Sequence, residues 1–135
     1  EMCIRDRDDM EKHIREVFEG MPDHLARALV ESKSKYVGRD IIRKQLMAVR
    51  DNWPELSGKI RDQILPFNVV RDCLKRAGTP YEPEMIGVSH GKLRKTFRAI
   101  PFMRDRFTGI DLIYRAGLMD EVEAYLFGKG GIYGC

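Results

Sequence analysis

Residues 89–117 read SHGKLRKTFRAIPFMRDRFTGIDLIYRAG, and this stretch decides the fold. Its apolar side chains recur at steps of 4, 3, 3 and 4, the spacing of one face of an α-helix; they are Leu93, Phe97, Ile100, Met103 and Phe107. Ser89 suits the N-cap of that helix, because its hydroxyl can accept a bond from a free N–H one turn on. Pro101 removes a backbone donor and crowds the preceding turn, so we expect a kink or an end near Ala99.

A second helix is expected directly afterwards. Thr108 and Asp111 have the spacing of a capping pair at a helix start, and Gly117 suits the C-terminal stop. These features predict two packed helices, and by themselves they predict no chemistry.

The rest of the chain repeats this helical periodicity in short segments divided by Pro and Gly. We expect further helices over about residues 10–21, 22–32, 42–53, 54–64, 68–77 and 118–127, and one helical turn at residues 84–86. Residues 32–38, SKSKYVG, are polar and predict a connection. No segment alternates with period two. The sequence therefore predicts an all-α fold of seven or eight short helices over residues 8–127, followed by a mobile Gly-rich tail at 128–135.

Composition excludes several classes of protein. The net charge of +3 is too small to require a polyanionic partner, and no apolar run approaches the roughly 20 residues that span a bilayer. The three cysteines, Cys3, Cys73 and Cys135, are odd in number and far apart, which argues against a disulfide framework. We expect a cytoplasmic protein in which Cys73 is a small buried hydrophobic residue.

The first seven residues, EMCIRDR, resemble a string produced by sequencing-adapter read-through in translated assemblies. The chain also begins without Met. We expect residues 1–7 to be an artefact with no part in the fold, and the gene to be cut at its 5′ end.

No residue is assigned a catalytic, cofactor-binding or metal-binding role. His13, His24 and His90 are separated by 11 and 66 residues, whereas helical metal ligands usually lie one turn apart. We expect all three to be solvated surface side chains. The glycines at 128, 130 and 131 follow a helix without opening another, so they do not form a phosphate-binding loop.

Residues 89–107 carry six positive charges and one negative charge. The positive residues are Lys92, Arg94, Lys95, Arg98, Arg104 and Arg106. A basic helix can bind nucleic acid, but apolar side chains at core spacing interleave these charges. A solvated face is therefore favoured over a nucleic-acid site, and Arg104-Asp105-Arg106 is expected to be partly buried at helix ends.

One family resemblance covers residues 10–127. Its most specific part is Arg104-Asp105-Arg106-Phe107-Thr108 with the downstream Asp111-Leu112, whereas Met103 and Ala116-Gly117-Leu118 are weaker matches. Weaker matches are Arg50-Asp51-Asn52-Trp53, Leu74-x-x-Ala77-Gly78-x-Pro80, Pro83-Glu84-x-Ile86-Gly87 and Leu93-Arg94-x-x-Phe97. The pattern resembles the C-terminal end of sn-glycerol-1-phosphate dehydrogenases, in the superfamily of iron-containing alcohol dehydrogenases and dehydroquinate synthases. Phe107 stands where that family has Tyr, and Pro101 interrupts a helix that is continuous there.

The resemblance implies a fragment of a two-domain enzyme, namely the distal part of the helical C-terminal domain. In the full-length enzyme, an N-terminal domain binds NAD(P), and one Asp and two His upstream of Met10 hold a divalent metal (Zn, Ni or Fe). The implied reaction is reversible reduction of dihydroxyacetone phosphate for glycerophospholipid synthesis. The implied partners are the missing N-terminal domain, a small phosphate substrate and further copies in a homo-oligomer; membrane and nucleic acid are not expected. The fragment alone is expected to be inactive.

Two alternatives stay open. One is a related metal-dependent glycerol or alcohol dehydrogenase with a different substrate. The other is a free-standing helical binding module that uses the basic stretch at residues 92–106. The fragment hypothesis predicts a large exposed apolar surface where missing helices would pack, whereas a complete module should not expose one.

Overall fold

The computed structural model describes residues 4–134, and all regular structure in that range is helical. The α-helices are α1 (Arg7–Val17), α2 (Pro22–Ser32), α3 (Arg39–Asp51), α4 (Trp53–Gln63), α5 (Phe67–Arg76), α6 (His90–Ala99), α7 (Gly109–Arg115) and α8 (Met119–Phe127). Two short 3₁₀-helices span Pro83–Ile86 and Ile100–Phe102. The predicted all-α fold class is confirmed. No helix within residues 4–134 combines the length and apolarity needed to cross a bilayer.

The helix boundaries around α6 and α7 follow the local signals in the sequence. The Ser89 hydroxyl accepts a hydrogen bond from the backbone N–H of Lys92 at 3.2 Å, as expected of an N-cap. Helix α6 ends at Ala99, and Pro101 lies in the 3₁₀-helix that follows. Gly117 has φ +71°, the left-handed conformation that ends a helix and favours glycine. All three predictions are confirmed.

The main core is formed by α1, α2, the second 3₁₀-helix, α6, α7 and α8. Its largest fully buried side chains include Met10, Ile14, Tyr36 and Phe102. The rings of Phe102 and Tyr114 meet edge to face with centroids 5.2 Å apart, a geometry that the ring quadrupoles favour. The core therefore closes around the segment that Pro101 turns out of α6.

Residues 4–7 take part in this fold, contrary to the expectation that residues 1–7 do not. Ile4 is buried against Ile42 and Leu46 of α3. The Asp6 carboxylate accepts bonds from the first free backbone N–H groups of α1, those of Asp8 and Asp9, at 3.0 and 3.3 Å. An apolar side chain and a helix-capping acid can fit these positions even if the segment is foreign to the natural protein. The origin of residues 1–7 in sequencing-adapter read-through therefore stays a prediction. Residues 1–3 lie outside the described part.

Two expectations about apolar stripes are wrong. The face predicted for residues 93–107 holds only as far as Phe97, which is buried, whereas Met103 and Phe107 are 41% and 52% exposed. The break at Pro101 changes the direction of the chain, so the stripe no longer points at one partner. Cys73 is exposed rather than buried, because α5 has no buried residue.

The tail after α8 folds back into turns over residues 129–133. The backbone N–H of Tyr133 donates to the carbonyl of Leu126 at 2.8 Å, and its ring stacks on Phe127 at 5.7 Å. The expected mobility of residues 128–135 stays a prediction; Cys135 lies outside the described residues, as does Cys3.

Candidate functional site

The core contains a buried ion pair between Lys35 and Asp111. Lys35 is 6% exposed and Asp111 is 1% exposed, and Nζ lies 2.8 Å from Oδ1. Lys35 also donates to the backbone carbonyl of Pro101. Lys35 thus joins the connection after α2 to both the second 3₁₀-helix and α7. Two charges removed from water must satisfy each other closely to offset their desolvation.

Asp111 also organises the start of α7. Its Oδ2 accepts hydrogen bonds from the backbone N–H of Thr108 at 2.7 Å and from the Thr108 hydroxyl at 2.8 Å. The predicted pairing of these residues is confirmed. The Tyr36 hydroxyl donates to Asp111 Oδ1 at 3.4 Å, and burial, followed by the nearby Asp111 carboxylate, raises the pKa of Tyr36.

A cavity of about 610 Å³ lies beside this ion pair. Its apolar wall is made by Val37, Leu46, Val49, Phe107 and Leu112. Lys35 and Arg115 bring positive charge to the lining, and the exposed Asp105 brings a negative charge. An apolar cleft with a few polar groups is the usual form of a small-molecule site.

Arg115 is the second buried cation of this cavity beside Lys35, with 6% of its surface exposed. One terminal nitrogen donates to Gln45 Oε1 at 2.5 Å. Its guanidinium carbon lies 4.5 Å from the ring centre of Phe107 and 5.4 Å from that of Tyr36. The buried Nε has no hydrogen-bond partner within residues 4–134. Burial lowers the pKa of Arg115, and the electrostatic influence of the nearby Tyr36 and Asp111 partly opposes that shift.

Sequence reasoning missed both cations. Lys35 was included in a polar connection, yet the adjacent Tyr36 was a signal that this segment enters the core. Arg115 follows the apolar run that ends at Tyr114, where a charged side chain is unusual. Neither signal identifies a partner, since Lys35 and Asp111 are 76 residues apart.

His13 is not the solvated side chain that was expected. It packs against the rings of Phe102 and Tyr114, with centroids 5.7 and 5.4 Å away. Its Nε2 is buried without a hydrogen-bond partner in the described part of the chain. Burial lowers the pKa of His13, and Glu16, with an oxygen 3.8 Å from Nδ1, partly opposes that shift.

The other two histidines are more accessible. His24 is exposed, as expected, and stacks on Phe18 at 6.4 Å. His90 is half-buried: its Nε2 lies 2.6 Å from a Glu84 oxygen and its ring contacts Tyr133. The structure therefore does not bring the three histidines together.

The basic stretch is partly neutralised by α8. Glu123 is 4% exposed and accepts hydrogen bonds from Arg94, at 2.6 Å, and from Arg98. Arg98 also donates to Asp120 at 2.6 Å. Burial alone would raise the pKa of Glu123, but the hydrogen bonds from Arg98 and Arg94 outweigh burial and lower this pKa. Two of the six predicted surface cations thus serve to hold α6 against α8.

Arg104, Asp105 and Arg106 lie in the connection between the second 3₁₀-helix and α7, and all three are exposed. The expectation that they are partly buried is wrong. Residue 115, further along the chain, supplies the buried arginine instead.

Helices α4 and α5 present an apolar surface that the described residues leave largely exposed. Neither helix has a buried residue. The exposed apolar side chains here are Trp53, Ile60, Ile64, Leu65, Phe67, Val69, Val70 and Leu74, between 39% and 64% exposed. We call this set the α4–α5 face. Exposed apolar side chains concentrated in neighbouring helices are typical of an interaction surface.

The described residues offer no set for a metal. Within residues 4–134, no three His, Cys, Asp or Glu side chains converge in a way that could hold an ion. That no residue of this chain binds a metal nevertheless stays a prediction.

Comparison with known proteins adds no relative. No family model matches the sequence, and neither the curated proteins nor the solved structures contain a chain significantly similar to it.

Proposed function

We propose that this chain is the distal helical part of a metal-dependent NAD(P) oxidoreductase resembling sn-glycerol-1-phosphate dehydrogenase. The observation that carries the proposal is the pattern Arg104-Asp105-Arg106-Phe107-Thr108 with Asp111-Leu112 and Ala116-Gly117-Leu118. The all-helical fold agrees with a helical C-terminal domain but is not specific to it.

The α4–α5 face supports the same proposal. A fragment exposes apolar surface where the rest of its domain would pack, and a complete module rarely does. The core of α1, α2, α6, α7 and α8 is closed, so the missing part is expected to cover α4 and α5 rather than to complete that core.

Residues outside this chain would carry the chemistry. The resemblance implies that the metal ligands and the dinucleotide loop belong to the upstream part of the enzyme. Upstream residues would hold the divalent metal and NAD(P), which would supply Lewis-acid polarisation of the substrate oxygen and the hydride, respectively. This chain stabilises the wall behind that site.

The remaining parts of the proposal follow from the same resemblance. The substrate is dihydroxyacetone phosphate, the full-length enzyme forms homo-oligomers, and it acts in the cytoplasm in phospholipid synthesis. A related glycerol or alcohol dehydrogenase is the alternative within this superfamily, and the upstream residues that contact the substrate would distinguish the two.

The binding-module alternative is weakened by the pairing of Arg94 and Arg98 with Glu123. Cations paired within the fold contribute less to counterion release, so the salt dependence of any DNA affinity should be shallower than six free cations would give. Affinity for duplex DNA that falls steeply between low and moderate salt would favour the module.

The test is an activity measurement on two proteins. The gene, extended upstream of the codon for Asp8, should yield an enzyme that oxidises NADH or NADPH with dihydroxyacetone phosphate when a divalent metal is supplied. The isolated 135 residues should show no turnover. Turnover by the isolated chain, or none by the extended protein with this substrate, would contradict the proposal.

A further inference from the structure

The cavity beside Arg115 is formed by residues of the connection after α2, by α3, by α7 and by residues 105–107. Its volume of about 610 Å³ falls within the range of about 300–1,000 Å³ usual for ligand sites. The cavity is independent of the α4–α5 face and of the dehydrogenase proposal.

Arg115 differs from the other cations that the core uses. Lys35 is paired with Asp111 at 2.8 Å, and Arg98 is paired with Glu123 and Asp120. Arg115 has no carboxylate within 4.0 Å in residues 4–134, and its hydrogen-bond acceptor is the neutral amide of Gln45. A buried guanidinium normally pairs with an anion, because desolvation of its charge is otherwise uncompensated.

The aromatic rings of Phe107 and Tyr36 lie close enough for cation–π attraction. Such contacts do not replace an acceptor for the N–H groups, of which arginine has five. The edge of the guanidinium therefore still lacks an anionic acceptor.

The walls indicate what the anion is attached to. Val37, Leu46, Val49 and Leu112 form an apolar surface that offers no hydrogen bonds from their side chains. Lys35 is already neutralised by Asp111, and the exposed Asp105 at the lining disfavours a second negative charge. The arrangement matches one negative charge on an apolar body.

We propose that this cavity binds a small amphipathic carboxylate, with the carboxylate on Arg115 and the aliphatic chain along the Leu46–Leu112 wall. Planar carboxylates suit a guanidinium because two parallel N–H···O bonds can form. The same carboxylate could be supplied by a free acid or by an Asp or Glu of a protein segment. The free acid is the proposal, because four apolar side chains line the same cavity as Arg115 and can hold an aliphatic chain.

The probe is octanoate, compared with acetate, which lacks the chain, and with octanamide, which lacks the charge. Binding is followed by calorimetry and by chemical shifts of the Arg115 side chain. Octanoate should bind at least tenfold more tightly than either control. No octanoate binding, or equal binding of acetate or octanamide, overturns the proposal.

Gln45→Glu provides the decisive variant, because it places an internal carboxylate where Gln45 Oε1 now accepts from Arg115. This change should raise the thermal midpoint by about 3 °C and lower octanoate affinity at least tenfold. Gln63→Glu, the same substitution on exposed α4, should alter neither.

Circular dichroism verifies that both variants are folded. Unchanged octanoate affinity in Gln45→Glu overturns the proposal. A raised midpoint with no octanoate binding by the parent chain also overturns it and assigns the carboxylate to a protein partner.

Discussion

Replacing Asp111 by Asn tests the buried ion pair at the centre of the fold. The substitution keeps the shape of the side chain and removes its charge. Lys35, whose side chain is 4% exposed, would then keep the Pro101 carbonyl but lose its counter-charge. Breaking a buried pair from one side is strongly destabilising, because one charge stays buried and uncompensated.

The magnitude follows from the contacts of each partner. Loss of one member of a buried pair costs about 3–5 kcal/mol. Asn can still accept from Thr108, so Asp111→Asn should cost about 3 kcal/mol, at the lower end of that range. Lys35→Met should cost about 2 kcal/mol, because Asp111 keeps its hydrogen bonds from Thr108 and Tyr36.

The double variant separates charge pairing from general damage. The double variant, Lys35→Met with Asp111→Asn, leaves no buried charge of this pair, so it should cost only about 2 kcal/mol. The two single variants sum to about 5 kcal/mol, so the coupling energy between the residues should be about 3 kcal/mol. The assay is urea unfolding followed by circular dichroism, with linear extrapolation to water.

A surface pair supplies the control. Lys59 and Glu55 lie 2.6 Å apart but are 66% and 68% exposed, so Lys59→Met should cost less than about 0.5 kcal/mol. The reasoning is refuted if Asp111→Asn costs no more than Lys59→Met, or if the double variant equals the sum of the single variants.

Three further predictions concern other parts of the core. Glu123→Gln should cost about 2 kcal/mol at pH 7. Since the folded pKa of Glu123 is lowered from 4.5, its contribution to stability is complete above pH 4.5 and is lost as pH falls through the folded pKa. The stabilities of variant and parent should therefore converge in acid, and a constant difference would contradict this. Burial lowers the folded pKa of His13 from 6.5, so protonation opposes folding and the free energy of unfolding should rise with pH up to about 6.5. His13→Leu should remove this pH dependence, and an unchanged pH dependence would assign it to other groups. Phe102→Ala should cost about 4 kcal/mol because Phe102 is fully buried, whereas Ile64→Ala on the α4–α5 face should cost less than about 1 kcal/mol because Ile64 is 64% exposed. Equal losses would show that the two side chains are buried to a similar degree.

The sequence predicts the elements of this fold well where a local signal is sufficient. Ser89, Pro101 and Gly117 act within one turn of the backbone, and the structure has the helix boundaries that they predict. Thr108 and Asp111 likewise interact across three residues. Such effects depend on neighbours in sequence, so periodicity and capping rules can identify them.

Burial could not be predicted as well, because it depends on which elements meet. The stripe of α5 has the spacing of a core helix, but none of its residues is buried, so Cys73 is exposed. His13 has the spacing of a polar face, yet α7 and the turn at Phe102 cover it.

The candidate site was the least predictable part. Lys35, Asp111 and Arg115 come from segments up to 80 residues apart in the sequence. Lys35 and Arg115 belong to no recognisable motif, and the capping motif of Asp111 indicates only its local role at the start of α7. Their role follows from low exposure and from the partners that each has or lacks, which are properties of the folded chain alone.

Sequencing the genomic locus immediately upstream of the codon for Asp8 tests the central proposal most directly. The proposal predicts that the reading frame continues upstream and encodes a glycine-rich dinucleotide loop, followed by an Asp and two His that hold a divalent metal. An in-frame stop codon close upstream, with a start codon at Met10, would contradict it.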